Sequence, residues 1–153
     1  MLAKTAMAKQ QERAANAERS LLELRGRLAP RVLNAQQLTE LTLVASNFSE
    51  QVLEVTRYTL SKEAQELSAQ IESALAAGGW KVAVTGYMGG SEYKDGVILV
   101  VEKGQNSVAA DTIKNVLNAM GIAVKFTASD GFRPTPIPPG TVLLFVGAKP
   151  DSP

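Results

Sequence analysis

The 153-residue chain contains no cysteine and no histidine. The first absence removes disulfides, thiolate metal ligands and Cys nucleophiles; the second removes imidazole ligands and every Ser-His-Asp or Cys-His catalytic arrangement. Lack of cysteine does not indicate a compartment, because a reducing cytosol has no use for disulfides and many exported proteins also lack them. Neither sign of charge dominates. Sixteen Lys and Arg stand against fifteen Asp and Glu, a formal charge of +1, so no whole-chain field exists to hold a polyanion and nucleic acid is not an expected partner. No apolar run approaches the roughly 18 residues of a membrane span. Met1 to Met7 carries no signal-peptide core. No catalytic residue, metal ligand set or cofactor motif can be assigned, and the chain reads as a non-enzymatic, soluble protein.

With 45% hydrophobic and 20% charged residues the composition is that of a globular chain. The length suits one domain with its own core. Three regions are expected: a helical stalk over 1–30, an α/β domain over 31–150 and a polar tail over 151–153.

In the stalk, Ala3, Met7, Gln10, Ala14, Ala17, Leu21, Leu24 and Leu28 are spaced alternately by four and three, which is a heptad seam. Between them stand mainly Lys, Gln, Glu, Arg and Ala, strong helix formers that keep the other faces wet. Pro30 blocks the backbone bonding of the preceding turn and ends the helix near Leu28. A seam of Ala and Gln in the N-terminal half buries little, so such a helix is marginal alone. Self-association through Met7, Leu21, Leu24 and Leu28 supplies the missing cover; packing of the stripe on the chain's own α/β domain is the alternative. A helix that starts at the first residue leads us to expect an upstream segment.

After Pro30 the pattern alternates. Asn34 and Gln37 are spaced as a capping box for a helix over about 35–47. Val52 to Tyr58 is β-branched and aromatic, a strand. Ser61 caps a helix whose buried stripe is Ala64, Leu67, Ile71, Leu75 and Gly78, ended by the Gly78-Gly79 pair. A second strand covers Trp80 to Thr85, with Trp80 in the core. The continuous apolar run Val97 to Val101 reads as a central strand buried on both faces. Asn106 or Ser107 caps a helix with the stripe Ala110, Ile113, Leu117 and Met120, closed by Gly121; strands follow over Ile122 to Thr127 and Val142 to Val146. Strands alternating with helices predict a three-layer α/β/α domain with a mainly parallel sheet, preceded by a coiled-coil-like helix. The link over 86–96 is too short for a helix, which leaves room for an antiparallel element. Strand order stays open.

Several stretches give the chain a resemblance: Leu28-Ala29-Pro30-Arg31, Leu33-Asn34-Ala35-Gln36-Gln37-Leu38, Glu63-Ala64, Ala76-Ala77-Gly78-Gly79-Trp80 and Val146-Gly147-Ala148-Lys149-Pro150. Taken in this order, over nearly the whole chain, it is similar to the soluble C-terminal region of a group of bacterial membrane-tethered proteins. The resemblance implies N-terminal membrane helices, absent from this sequence, that feed a coiled coil carrying the α/β domain on the cytoplasmic side of the inner membrane. It implies no reaction. Where such proteins often have a Gly-Asp pair after the first strand, this chain has Thr59-Leu60-Ser61-Lys62, so no ligand role transfers.

Ligands of open α/β sheets sit at the carboxyl ends of strands, which points to the loops after Tyr58, Thr85, Val101 and Thr127. Gly86 to Ser91 can bring backbone N–H groups to an anion, or can be a plain turn. Glu92, Tyr93, Lys94 and Asp95 carry acid-base groups, which need burial to become useful; otherwise they are a solvated loop. Ser129 to Gly140 holds four of the seven prolines. Asp130, Phe132 and Arg133 in that stiff loop are a candidate contact surface or a passive cover. Arg57 and Tyr58 end the first strand and can face the same cleft as Tyr87. The candidate ligand or partner contacts are therefore Arg57, Tyr58, Tyr87, Glu92, Tyr93, Asp130, Phe132 and Arg133. The functional expectation is an interaction or sensor domain on an oligomerising stalk, with a protein partner and no cofactor. The alternative is a small-ligand or nucleotide-binding domain with its site at the strand ends, and a carboxylate-based enzyme ranks third.

Overall fold

A computed structural model describes residues 2–88, 95–129, 132 and 136–149, without the side chains of 2–4, 23–28 and 88. The chain divides into two compact units, one ending at Pro30 and one beginning at Arg31. The first is a single helix, α1 (Leu2–Leu28), about 40 Å long at 1.5 Å per residue. Every residue from Thr5 to Leu22 is exposed.

The second unit runs α2 (Ala35–Ala45), β1 (Val52–Tyr58), α3 (Lys62–Ala77), β2 (Lys81–Met88), β3 (Val97–Val101), α4 (Val108–Ala119), β4 (Val124–Ala128) and β5 (Thr141–Val146). Local chemistry sets the helix starts. Asn34 and Gln37 form a reciprocal capping box on α2, while the Ser61 and Ser107 hydroxyls accept from the backbone N–H groups of Ala64 and Ala110 to open α3 and α4. Gly79 and Gly121 take positive φ just past the ends of α3 and α4, where a residue with a Cβ is strained.

The fold is α/β with one five-stranded sheet in the order β2-β1-β5-β3-β4. β1 is parallel to β2 and to β5, β3 is parallel to β4, and β3 and β5 are antiparallel. Two βαβ halves thus point in opposite directions and progress toward opposite edges. Right-handed crossovers in such an arrangement put both helices on the same face. The packing agrees: the stripes of α2, α3 and α4 share one cluster with Leu53, Val55, Leu99, Val142 and Leu144. Among the described residues no helix covers the other face, where a third layer was expected. There Ile98, Val100, Leu143 and Phe145 pack beneath Ile137 and Phe132 of the proline-rich segment. The centre of the sheet also differs from expectation. β5 takes that place, buried at all six positions, and β3 lies next to the β4 edge. β2 ends where β3 begins, since the two are antiparallel, so the link between them needs only to step sideways.

A bonded strap closes this unit. Arg31 donates from its backbone N and its Nε to Glu63 Oε2 at 2.7 and 2.8 Å, and from Nη2 to Glu63 Oε1 at 2.6 Å and to the Gly147 carbonyl at 2.7 Å. Two residues on, the Gln70 amide bonds both the N–H and the carbonyl of Leu33. Burial alone raises the pKa of Glu63, but the side-chain bonds, the backbone bond and the charge of Arg31 together outweigh it and hold the carboxyl below its ordinary value. Across the helical layer, Trp80 Nε1 donates to the Ala45 carbonyl at 2.9 Å, and Gly78 lets α3 meet α2.

Two stability predictions follow from these contacts. A Cβ on Gly78 lies 2.7 Å from Ala45 Cβ and 2.8 Å from the Thr42 carbonyl, so Gly78→Ala forces the two helices apart and costs about 1–3 kcal/mol in urea unfolding; an unchanged midpoint contradicts the close approach. Glu63→Gln lowers stability at pH 7 by about 3 kcal/mol, the order of a broken, largely buried pair. Because the Glu63 pKa is depressed on folding, its stabilisation is present above about pH 4.3, the unfolded value. It is lost as pH falls through the lower folded value. Unfolding curves of the two proteins therefore converge toward acid, and a gap independent of pH argues against the strap.

Candidate functional site

Strand direction decides which candidate residues meet. The carboxyl ends of β1, β2 and β5 share one end of the sheet, and those of β3 and β4 share the other. The four loops expected to line one cleft are therefore divided between two ends. Arg57, Tyr58 and Tyr87 stand at the first, Arg57 and Tyr87 opposite each other on one face and Tyr58 on the other; the loop after β4 leaves from the second, and its Phe132 returns over Phe145 beside Tyr58. Glu92, Tyr93, Asp130 and Arg133 lie outside the described residues.

Phe132 is half-buried, its ring centroid 5.6 Å from that of Phe145, and Tyr58 meets the same ring edge-on at 6.1 Å. Both side chains belong to the cover of the second face. Of the two readings of Phe132, contact surface or passive cover, this packing is that of the cover, laid over the apolar strip of Phe145 and Ile98.

At the first end, the Arg57 and Glu72 side chains point to the helical face. Arg57 Nη2 donates to Glu72 Oε1 at 2.9 Å, and the Ser68 hydroxyl donates to Glu72 Oε2 at 2.8 Å. Glu72 is 7% exposed. Its hydrogen bond, then its charge, raise the Arg57 pKa above the ordinary value against the opposing effect of burial, and Tyr87 contributes in the same direction. Arg57 Nε is buried with no partner among the described residues. Tyr87 reaches this spot through an irregularity of register. Val55 pairs with Val84 but Thr56 pairs with Gly86, so one extra residue, Thr85, shifts Tyr87 opposite Arg57. The glycine-rich turn expected from Gly86 is thus strand as far as Met88.

Glu72 and Ser68 were not singled out from the sequence. Their signal was present: both fall within the buried stripe of α3, four residues apart, where a polar pair needs a partner.

The second end holds a cavity of about 280 Å³ lined in part by Gln51, Glu102, Ser107 and Gly140. Three of its polar side chains serve the fold. Glu102 accepts from the Ile137 N–H at 2.6 Å, Ser107 caps α4, and the Gln51 amide donates to the Val52 and Gly140 carbonyls. Compared with known proteins, the chain matched no family model, no curated protein and no solved structure.

The packing role of Phe132 is open to direct measurement. Phe132→Ala lowers unfolding free energy by about 2 kcal/mol, less than the 3–5 of a fully buried ring. A loss under about 0.5 kcal/mol is the signature of a free surface side chain instead.

Proposed function

We propose that the chain is a non-enzymatic interaction module whose helix α1 self-associates as a coiled coil and so displays the α/β unit in more than one copy. The observation that carries this reading is the exposure of α1. Met7 and Leu21 lie in the heptad seam and are 61% and 47% exposed, within a stretch from Thr5 to Leu22 that buries nothing. Helix propensity alone is a weak source of stability at this length, and an apolar seam repeated every 3.5 residues is what a second identical helix covers. Leu24 and Leu28 continue the seam in sequence. The non-enzymatic part rests on the missing histidine and cysteine and on the separation of the described candidates between two faces of the sheet, Arg57 and Tyr87 on one and Tyr58 and Phe132 on the other.

The setting we propose, from the resemblance, is the cytoplasmic side of a bacterial inner membrane, with attachment through a segment not in this sequence. Among the described residues no helix is long and apolar enough to cross a membrane. The bound partner is, in this reading, another protein that meets the displayed units.

Light scattering across a concentration series tests the proposal. The whole chain is expected to be oligomeric, and a version carrying Leu21→Asp, Leu24→Asp and Leu28→Asp to be monomeric with an unchanged near-UV signal from Trp80. A whole chain that stays monomeric throughout removes the coiled coil and the multivalent display together.

A further inference from the structure

Arg57 is held in an unusual state of coordination. A guanidinium beside a carboxylate ordinarily engages both oxygens through a fork of two N–H groups. Here the fork is half used: Arg57 Nη2 takes Glu72 Oε1, the Ser68 hydroxyl bonds Oε2, and Nε is left buried without an acceptor among the described residues. An unmet buried donor is costly and calls for an explanation. The side chain nonetheless remains 37% exposed, at the carboxyl ends of the parallel strands β1 and β2, where ligands of open sheets sit. An independent feature brings a second group there. The extra residue at Thr85 re-aims Tyr87, which is 69% exposed, toward Arg57, and bulges are enriched where a side chain must be redirected to a site. Without it, alternation places Tyr87 on the opposite face.

We propose that Arg57 and Tyr87 form a binding site for an oxyanion, the carboxylate or phosphate group of a small ligand, with Ser68 and Glu72 as positioning residues. Glu72 fixes the guanidinium through Nη2 and the Ser68 hydroxyl competes with it for Oε2, which leaves the other Nη group of the partly exposed side chain to a ligand. The Tyr87 phenol adds a neutral donor beside the charge. This site is independent of self-association through α1.

Nitrogen–proton NMR titration of the whole chain with inorganic phosphate, and separately with acetate, is the test, against sodium chloride at matched ionic strength. Saturable shifts of the Arg57 Nε–Hε signal and of the Tyr87 amide are expected with at least one of the two anions and not with chloride; the anion that saturates identifies the group recognised. Arg57→Gln abolishes them. Ser68→Ala frees Glu72 to chelate Arg57 and weakens binding about tenfold, the order of one charge-assisted hydrogen bond, although no anion contact is removed. Tyr87→Phe gives a smaller loss. Non-saturating shifts that chloride reproduces, or binding that survives Arg57→Gln, overturn the site. Unchanged affinity in Ser68→Ala overturns the positioning role, and this variant keeps the test decisive if Arg57→Gln does not fold.

Discussion

The sheet depends on its last strand. β5 is the final element of the chain but occupies the middle of the order, parallel to β1 on one side and antiparallel to β3 on the other. The β1-α3-β2 and β3-α4-β4 halves are bridged within the sheet only through it. Its six residues are buried on both faces, and the five apolar ones, Val142 to Val146, contribute roughly 1.5–3 kcal/mol each on burial. The contacts it makes with β1 span about ninety positions, for example Leu53 with Val142, so assembly requires closure of nearly the whole domain. One antiparallel neighbour at β5 sets the remaining geometry. It reverses the second half, sends α3 and α4 to one face, and leaves a strip of the other to Ile137 and Phe132.

The stretches that carry the resemblance have structural work in common. Arg31 and Glu63, from two of them, bond directly, and Gly147, from a third, accepts the remaining Nη2 contact. Asn34 and Gln37 cap α2; Gly78 permits the approach of α2 and α3; Trp80 ties the start of β2 to the end of α2. These residues specify how the unit is strapped together. Val146, which opens the last stretch, is the strand partner of Arg57, but none of the bonds just named involves Arg57 or Tyr87. A resemblance built on these residues bears on the fold and not on what the strand ends contact.

The site was only partly legible for a related reason. That Arg57 and Tyr58 end a strand followed from the β-branched run before them. That Tyr87 stands opposite Arg57 did not, since it turns on one extra residue in β2, and strict alternation sends every later side chain to the wrong face. For Phe132 the stiff, proline-rich loop left contact and passive cover both open; the apolar strip it covers comes from Phe145 and Ile98, each on a different strand.

What this sequence determined by itself was local. Heptad spacing marked α1, Pro30 its limit, side-chain oxygens at Asn34, Ser61 and Ser107 the helix starts, and apolar periodicity the core faces of α3 and α4, because each of these depends on neighbours a few residues away. Strand order, the single helical layer, the Arg31–Glu63 strap and the meeting of Arg57 with Glu72 and Tyr87 were decided only in the tertiary structure. They depend on which strands pair and in which direction, and a run such as Val142 to Val146, apolar at every position, suits the middle of a sheet in either sense.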